Sequence, residues 1–309
     1  MDLRSPLRCA PPETSQAEPE PVKNMQYDGL LHMYEQENRL IAFESGDLHA
    51  PSTLVFIGGL GDGLYAVPYI HLLPPALQDI NFSLTQVLLS SSYSGYGFTS
   101  LENDVHEIRQ LLRYLRSIGK SHFVLLGHST GCQDIIKLFH SQNNDLPSHS
   151  NSLDGISSII LQAPVSDREY ILDTLGEEAY KRSLKAAQDL VDAGEAGAAV
   201  PAEFSDMFSG GRCGISASRW LSLAQPLQDN PTGEDFFSSD LPTDLLTRCL
   251  EPVAQRGISS MVLISGRDET MPSNVDKERL LQRLAEEVKQ ELCTRIVDFI
   301  GATLACSEI

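Results

Sequence analysis

The stretch His122-Phe123-Val124-Leu125-Leu126-Gly127-His128-Ser129-Thr130-Gly131 decides the reading of this chain. A short apolar run ends in G-x-S-x-G, and an apolar-periodic segment follows from Thr130 to about His140. A buried strand, a sharp turn and a helix account for that order. The turn holds Ser129 in strained backbone geometry and aims its hydroxyl at solvent. Glycines two residues to either side keep the turn free of clashes. The helix start offers amide donors and a favourable dipole to a developing oxyanion. Ser129 is therefore the candidate nucleophile.

Working outward, strand and helix signals alternate. Residues 29–35 and 39–45 flank the polar turn Gln36-Glu37-Asn38 and read as a hairpin. Short apolar runs at 53–59, 83–91 and 156–164 read as buried strands, and another follows at 259–266. Between them, residues 101, 105, 108, 111, 112 and 115 are apolar, a helical spacing. A charged helix is expected over about 274–291 and a last strand over 295–301. This alternation implies a mostly parallel sheet with helices on both faces, the α/β-hydrolase architecture. A long gap over about 167–256 interrupts it and reads as a helical cap inserted after the sixth strand. Residues 1–24 are rich in Pro, Glu and Ser and read as a disordered leader, followed by one domain over 25–309.

Composition narrows the partners. The net charge of −19 repels phosphate backbones and anionic membranes, so nucleic acid is excluded as an expected partner. Residues 167–245 carry 15 acidic against 6 basic side chains, a concentration read chiefly as a solvated face. The six cysteines form no C-x-x-C pair and no metal-type spacing. No apolar run reaches the 18 residues of a membrane span, and the start lacks a secretory pattern. A cytoplasmic protein without a membrane partner is the expectation.

Three further elements are needed around a nucleophilic serine. Ile57-Gly58-Gly59-Leu60-Gly61-Asp62 follows a strand where a glycine-rich oxyanion loop belongs, making the amides of Leu60 and Thr130 the candidate donors. Asp268 follows the strand at 259–266, the usual place of the acid, with Asp167 a weaker alternative. The base should come after the acid. The eight histidines lie at 32, 49, 71, 106, 122, 128, 140 and 149, all before Asp268. His128 reads as a packed, hydrogen-bonded side chain pointing away from the reacting hydroxyl. Tyr93 and Tyr96 are candidate pocket residues, and Cys132 reads as a small packed one. The chemistry needs no metal or organic cofactor.

The segments VFIGGLGDGLYAVPY, QVLLSSSYSGYGFTSLENDV, VLLGHSTGCQD, LQAPVSDRE, FFSSDL and LISGRDETMPSNVDKE resemble a fungal and plant group of cytoplasmic α/β-hydrolases that includes intracellular siderophore esterases. The resemblance runs over roughly residues 27–300. It implies hydrolysis of ester bonds in a hydroxamate siderophore of the fusarinine C type, inside the cell, for iron release. A small-molecule ester, with a ferric siderophore among its forms, is then the partner, and the iron belongs to the substrate. By position, Ser129 matches the family nucleophile and Asp268 its acid. Where the family places its histidine this chain reads Phe299-Ile300-Gly301-Ala302-Thr303-Leu304, without one. The expectation is a gene-model or splicing difference after about Ile300. Loss of the base, giving a catalytically impaired binding protein, and service by another histidine are the alternatives. A generic carboxylesterase is a further one.

Overall fold

The structure, a computed structural model, describes residues 26–140, 153–264 and 271–288. The leader, Asp268, His149 and the expected last strand lie outside these residues. Strands β1 (Leu30–Glu35) and β2 (Leu40–Gly46) form the expected antiparallel hairpin. Then come β3 (Ser52–Ile57), α1 (Leu73–Gln78), β4 (Phe82–Val87), α2 (Leu101–Ser117), β5 (His122–His128), α3 (Thr130–His140) and β6 (Ile156–Gln162). Helices α4 (Asp167–Leu175), α5 (Glu177–Asp192), α6 (Ala202–Ser209), α7 (Ala217–Ala224) and α8 (Thr243–Gln255) precede β7 (Ser259–Leu263) and α9 (Lys277–Val288).

The seven strands form one sheet in the order β1-β2-β4-β3-β5-β6-β7. Pairing is antiparallel for β1–β2 and β2–β4 and parallel from β4 onward. The chain leaves β3 for β4 on one side and returns to β5 on the other. That reversal opens a crevice between the carboxyl ends of β3 and β5, where ligands bind in open α/β sheets. The glycine loop leaves β3 there, and Ser129 leaves β5.

Alternation along the strands divides the core. Leu54 and Phe56 of β3 and Val124 and Leu126 of β5 face Ile70, Leu73 and Leu77 around α1. Val55, Ile57, Phe123 and Leu125 face the other way, onto α2, α3, α8 and α9. Each fully buried Leu, Ile or Phe contributes about 1.5–3 kcal/mol, so both faces of the sheet must be covered. Helix α2 begins where Ser100 accepts the Asn103 amide at 3.3 Å.

A third cluster stands apart. Trp220, Ile171, Tyr180, Phe204 and Ile215 of α4–α7 pack together with Tyr96, and Leu60 of the glycine loop lies against them. Leu246, Leu250 and Val253 of α8 join the sheet core instead. The stretch expected to be an insertion thus holds two kinds of helix, and we take α4–α7 as the cap over the crevice.

Candidate active site

Ser129 has φ of 52° between β5 and α3, a left-handed conformation that costs a non-glycine residue free energy. Its amide donates to Gln162 O at 3.0 Å, and its carbonyl accepts from Cys132 N at 2.8 Å. Both flanking glycines are sterically required. A Cβ at Gly127 would lie 2.4 Å from Gly131 O, and one at Gly131 would lie 2.2 Å from Ile57 O. Cys132 is fully buried, its Sγ donating to Gly127 O at 3.3 Å, in keeping with a packed residue.

The glycine loop is pressed against this turn. A Cβ at Gly59 would stand 2.8 Å from Ser129 Cβ. The loop closes on itself, with Asp62 N donating to Gly59 O at 3.0 Å and Gly59 N to Asp62 Oδ2 at 2.8 Å. The same Oδ2 lies 3.0 Å from His128 Nδ1. Burial raises the Asp62 carboxyl, but the bonds from His128 and the Gly59 amide outweigh it, and the group stays below the usual carboxylate range.

A cavity of about 230 Å³ opens above these groups. It is lined by Ser129 and His128 of the turn, by Gly59, Leu60 and Asp62 of the glycine loop, by Tyr96, and by Val165, Asp167, Tyr170, Phe208 and Arg212. Ser166 starts α4 by accepting the Glu169 amide at 3.1 Å, a cap that sets Asp167 at the cavity edge. Burial pushes the Asp167 carboxyl up to about 6, against the pull of Arg219. Gln133 Nε2 donates to its Oδ2 at 3.1 Å.

Charged groups lie buried beneath the loop. Arg219 of α7 pairs with Glu234 and donates to Tyr96 O at 3.1 Å, tying the cap to the loop that carries Tyr96. Asp104 of α2 and Asp134 of α3 line a small void with Arg219 and Thr130. Burial drives the Asp104 carboxyl up to about 7, offset in part by Arg219, and drives Asp134 well up too. Thr130 is itself buried, with its Oγ1 unpartnered among the described residues.

The structure therefore brings Ser129, Leu60 and Thr130 together. Asp268 falls outside the described residues. Tyr96 lines the cavity, whereas Tyr93 is 59% exposed and does not. His128 is hydrogen-bonded as expected, and together with its partner Asp62 of the glycine loop it also lines the Ser129 cavity. Among the described histidines it alone lines that cavity. Arg212, Tyr170 and Phe208 were missed, since the cap that delivers them has no motif of its own. The G-x-x-D spacing of Gly59 and Asp62 was the available signal for the closed turn. A larger cavity of about 690 Å³, between α3 and α8, lies away from Ser129. Among the described residues no cluster of His, Cys, Asp and Glu could hold a metal ion, and no helix is long and apolar enough to cross a membrane.

Residues 18–303 match the family described as "Protein of unknown function (DUF1749)". The chain is 32% identical over 288 residues to the fusarinine C esterase sidJ of Aspergillus fumigatus, covering 82% of this chain and 81% of that one. An esterase of Emericella nidulans is 32% identical over 301 residues, covering 82% and 79%. Among solved structures, the siderophore hydrolase EstB from Aspergillus fumigatus superposes with a TM-score of 0.73 at 27% identity, over 92% of this chain and 97% of that one. An alpha/beta hydrolase fold protein of unknown function gives a TM-score of 0.60 at 15% identity over 94% and 98%, a likeness of fold alone. The chain therefore belongs to this family and carries the α/β-hydrolase fold.

Proposed function

We propose that this protein is a serine ester hydrolase that cleaves the ester bonds of a hydroxamate siderophore of the fusarinine C type, inside the cell, for iron release. The observation that carries the reading is Ser129 at φ 52°, between β5 and α3, lining the cap-covered cavity. The names of the relatives supply the ester and the siderophore. Ser129 Oγ attacks the ester carbonyl while the Leu60 and Thr130 amides stabilise the oxyanion. The alcohol leaves, and water then hydrolyses the acyl-enzyme. The Ser129 proton passes to a base oriented by Asp268 and from that base to the leaving alcohol; the usual base is a histidine. In this fold that histidine follows the acid, and none of the eight does.

At about 230 Å³ the cavity is smaller than the roughly 300–1,000 Å³ that enclose a whole drug-sized ligand. It takes one acyl arm and leaves the rest of a large ring outside. The test compares purified protein on fusarinine C and on a simple aryl ester, with a fluorophosphonate probe reporting Ser129. Cleavage of both with labelling supports the proposal. Cleavage of the aryl ester alone replaces it with a generic carboxylesterase. A second reading, a catalytically impaired binding protein, is favoured by the absence of a histidine after Asp268. Absent labelling together with tight siderophore binding would establish it.

A further inference from the structure

We propose that His128 is a positioning residue that fastens the glycine loop to the nucleophile turn through Asp62. The catalytic consequence rests on the ester-hydrolase reading above; the fastening itself does not.

Asp62 Oδ2 is shared by two donors of different origin. One is the amide of Gly59, at 2.8 Å, within the loop. The other is His128 Nδ1, at 3.0 Å, on the last residue of β5 and next in sequence to Ser129. A single oxygen thus bridges the loop after β3 to the turn after β5. Beyond the strand pairing that ends at Ile57 and Gly127, the segments also meet by packing, with Gly59 close against Ser129 Cβ. The loop is built around the bridging side chain. A Cβ at Gly58 would lie 2.8 Å from Asp62 Cβ, so that position must be bare for the carboxylate to fold back. Gly61 has φ of 78°, which lets Asp62 N return to Gly59 O. The pair is about a quarter exposed on each side, and one of its bonds ends on a backbone amide. That distinguishes it from a surface ion pair, which fixes little. Leu60, the candidate oxyanion donor, lies between Gly59 and Asp62 in the closed turn. Fixing Gly59 and Asp62 therefore fixes the direction of the Leu60 amide, and small misplacements there are costly to the transition state.

Two conservative variants separate positioning from direct chemistry. His128→Asn keeps a donor at the place of Nδ1. His128→Gln keeps one at the place of Nε2 and gives up the bond to Asp62. The primary readout is amide hydrogen exchange at Gly59, which needs no activity. The expected result is protection of Gly59 in the wild type and in His128→Asn, and exchange faster by about tenfold or more in His128→Gln and Asp62→Ala. On an aryl ester, kcat should fall in the Gln variant with KM little changed and be largely restored in the Asn variant. Equal Gly59 exchange in wild type, His128→Gln and Asp62→Ala would overturn the fastening. Loss of kcat in His128→Asn with retention in His128→Gln would overturn it too, showing that Nε2 acts on substrate. Should either His128 variant fail to fold, the imidazole nitrogen shifts of the wild type decide: a protonated Nδ1 supports the fastening, and an unprotonated Nδ1 overturns it. A wild-type chain that hydrolyses no ester would refute the proposed function, while the exchange comparison would still decide the role of His128.

Discussion

Replacing Gly59 with alanine tests how tightly the glycine loop and Ser129 are coupled. The added Cβ would sit 2.8 Å from Ser129 Cβ, 3.1 Å from His128 O and 3.3 Å from Asp62 Oδ2. Carbon atoms rest at about 3.5–4.0 Å, so the nearest contact is short by roughly 1 Å. The first two obstacles are the root of a side chain and a backbone carbonyl, and neither swings aside. Overpacking of this kind costs about 1–3 kcal/mol. The loop is the element that must yield, because β5 and α3 are fixed by the sheet core. Under the proposed mechanism a shift of about 1 Å at Gly59 carries the neighbouring Leu60 amide away from the oxyanion, and loss of one such donor lowers kcat by about 10²–10³. The assay is kcat and KM on an aryl ester, with a denaturant midpoint for stability. Gly197→Ala is the control, since nothing lies within 4 Å of its added Cβ. We expect Gly59→Ala to remain folded with kcat down about a hundredfold and the control to match wild type. A kcat within about twofold of wild type in Gly59→Ala would refute the coupling of loop and turn.

Other outcomes follow from the buried charges and the strained turn. With its carboxyl raised to about 7, Asp104 holds a proton in the folded state that the unfolded chain has released. Between about pH 4 and 7 stability therefore falls as pH rises, by up to about 1.4 kcal/mol per unit from this group, and Asp104→Asn should flatten urea midpoints measured across that window. Arg219→Met strips Glu234 of its partner and removes the cation beside Asp104 and Asp134, so chemical denaturation should show a loss of about 3–5 kcal/mol. Ser129→Gly should abolish fluorophosphonate labelling yet raise stability by about 0.5–1 kcal/mol, because glycine accepts the left-handed φ of 52° that serine does not.

What could be read in advance was local or periodic. Helix α2 falls over Leu101–Ser117 and α3 begins at Thr130, because apolar spacing and the serine turn fix those positions without reference to the rest of the chain. The mostly parallel sheet followed as well, since alternating strands and helices have few alternative arrangements. Contacts that depend on docking were not legible. Helix α8 has the same kind of amphipathic pattern as the cap helices, and nothing in that pattern tells which cluster Leu246 and Leu250 will join. Tyr93 and Tyr96 looked equivalent in one turn-rich loop, yet the chain turns between them and leaves only Tyr96 under the cap. That His128 also lines the cavity was not legible for the same reason. Its surroundings are set by Asp62, 66 residues earlier, and no local rule connects the two.

The geometry around Ser129 also bears on the question of the base. The turn holds a non-glycine residue in the left-handed region and admits no side chain at Gly127 or Gly131, and beside Thr130 burial raises the carboxyls of Asp104 and Asp134. None of these features stabilises the fold. A glycine at 129 and neutral side chains at 104 and 134 would serve the core better. Strain of this kind persists where it positions a reacting group. A chain that needed only to hold a ligand would gain nothing from an oxygen raised on a strained turn beside a glycine loop. It would need the cavity walls, Tyr170, Phe208 and Arg212, which belong to the cap. The turn therefore supports the proposed hydrolysis over binding alone. Sequencing the native transcript past the Ile300 codon addresses the base directly. A histidine encoded there would supply the base that the proposed function requires. A transcript without one would leave labelling of Ser129 in the expressed protein to decide between hydrolysis and binding.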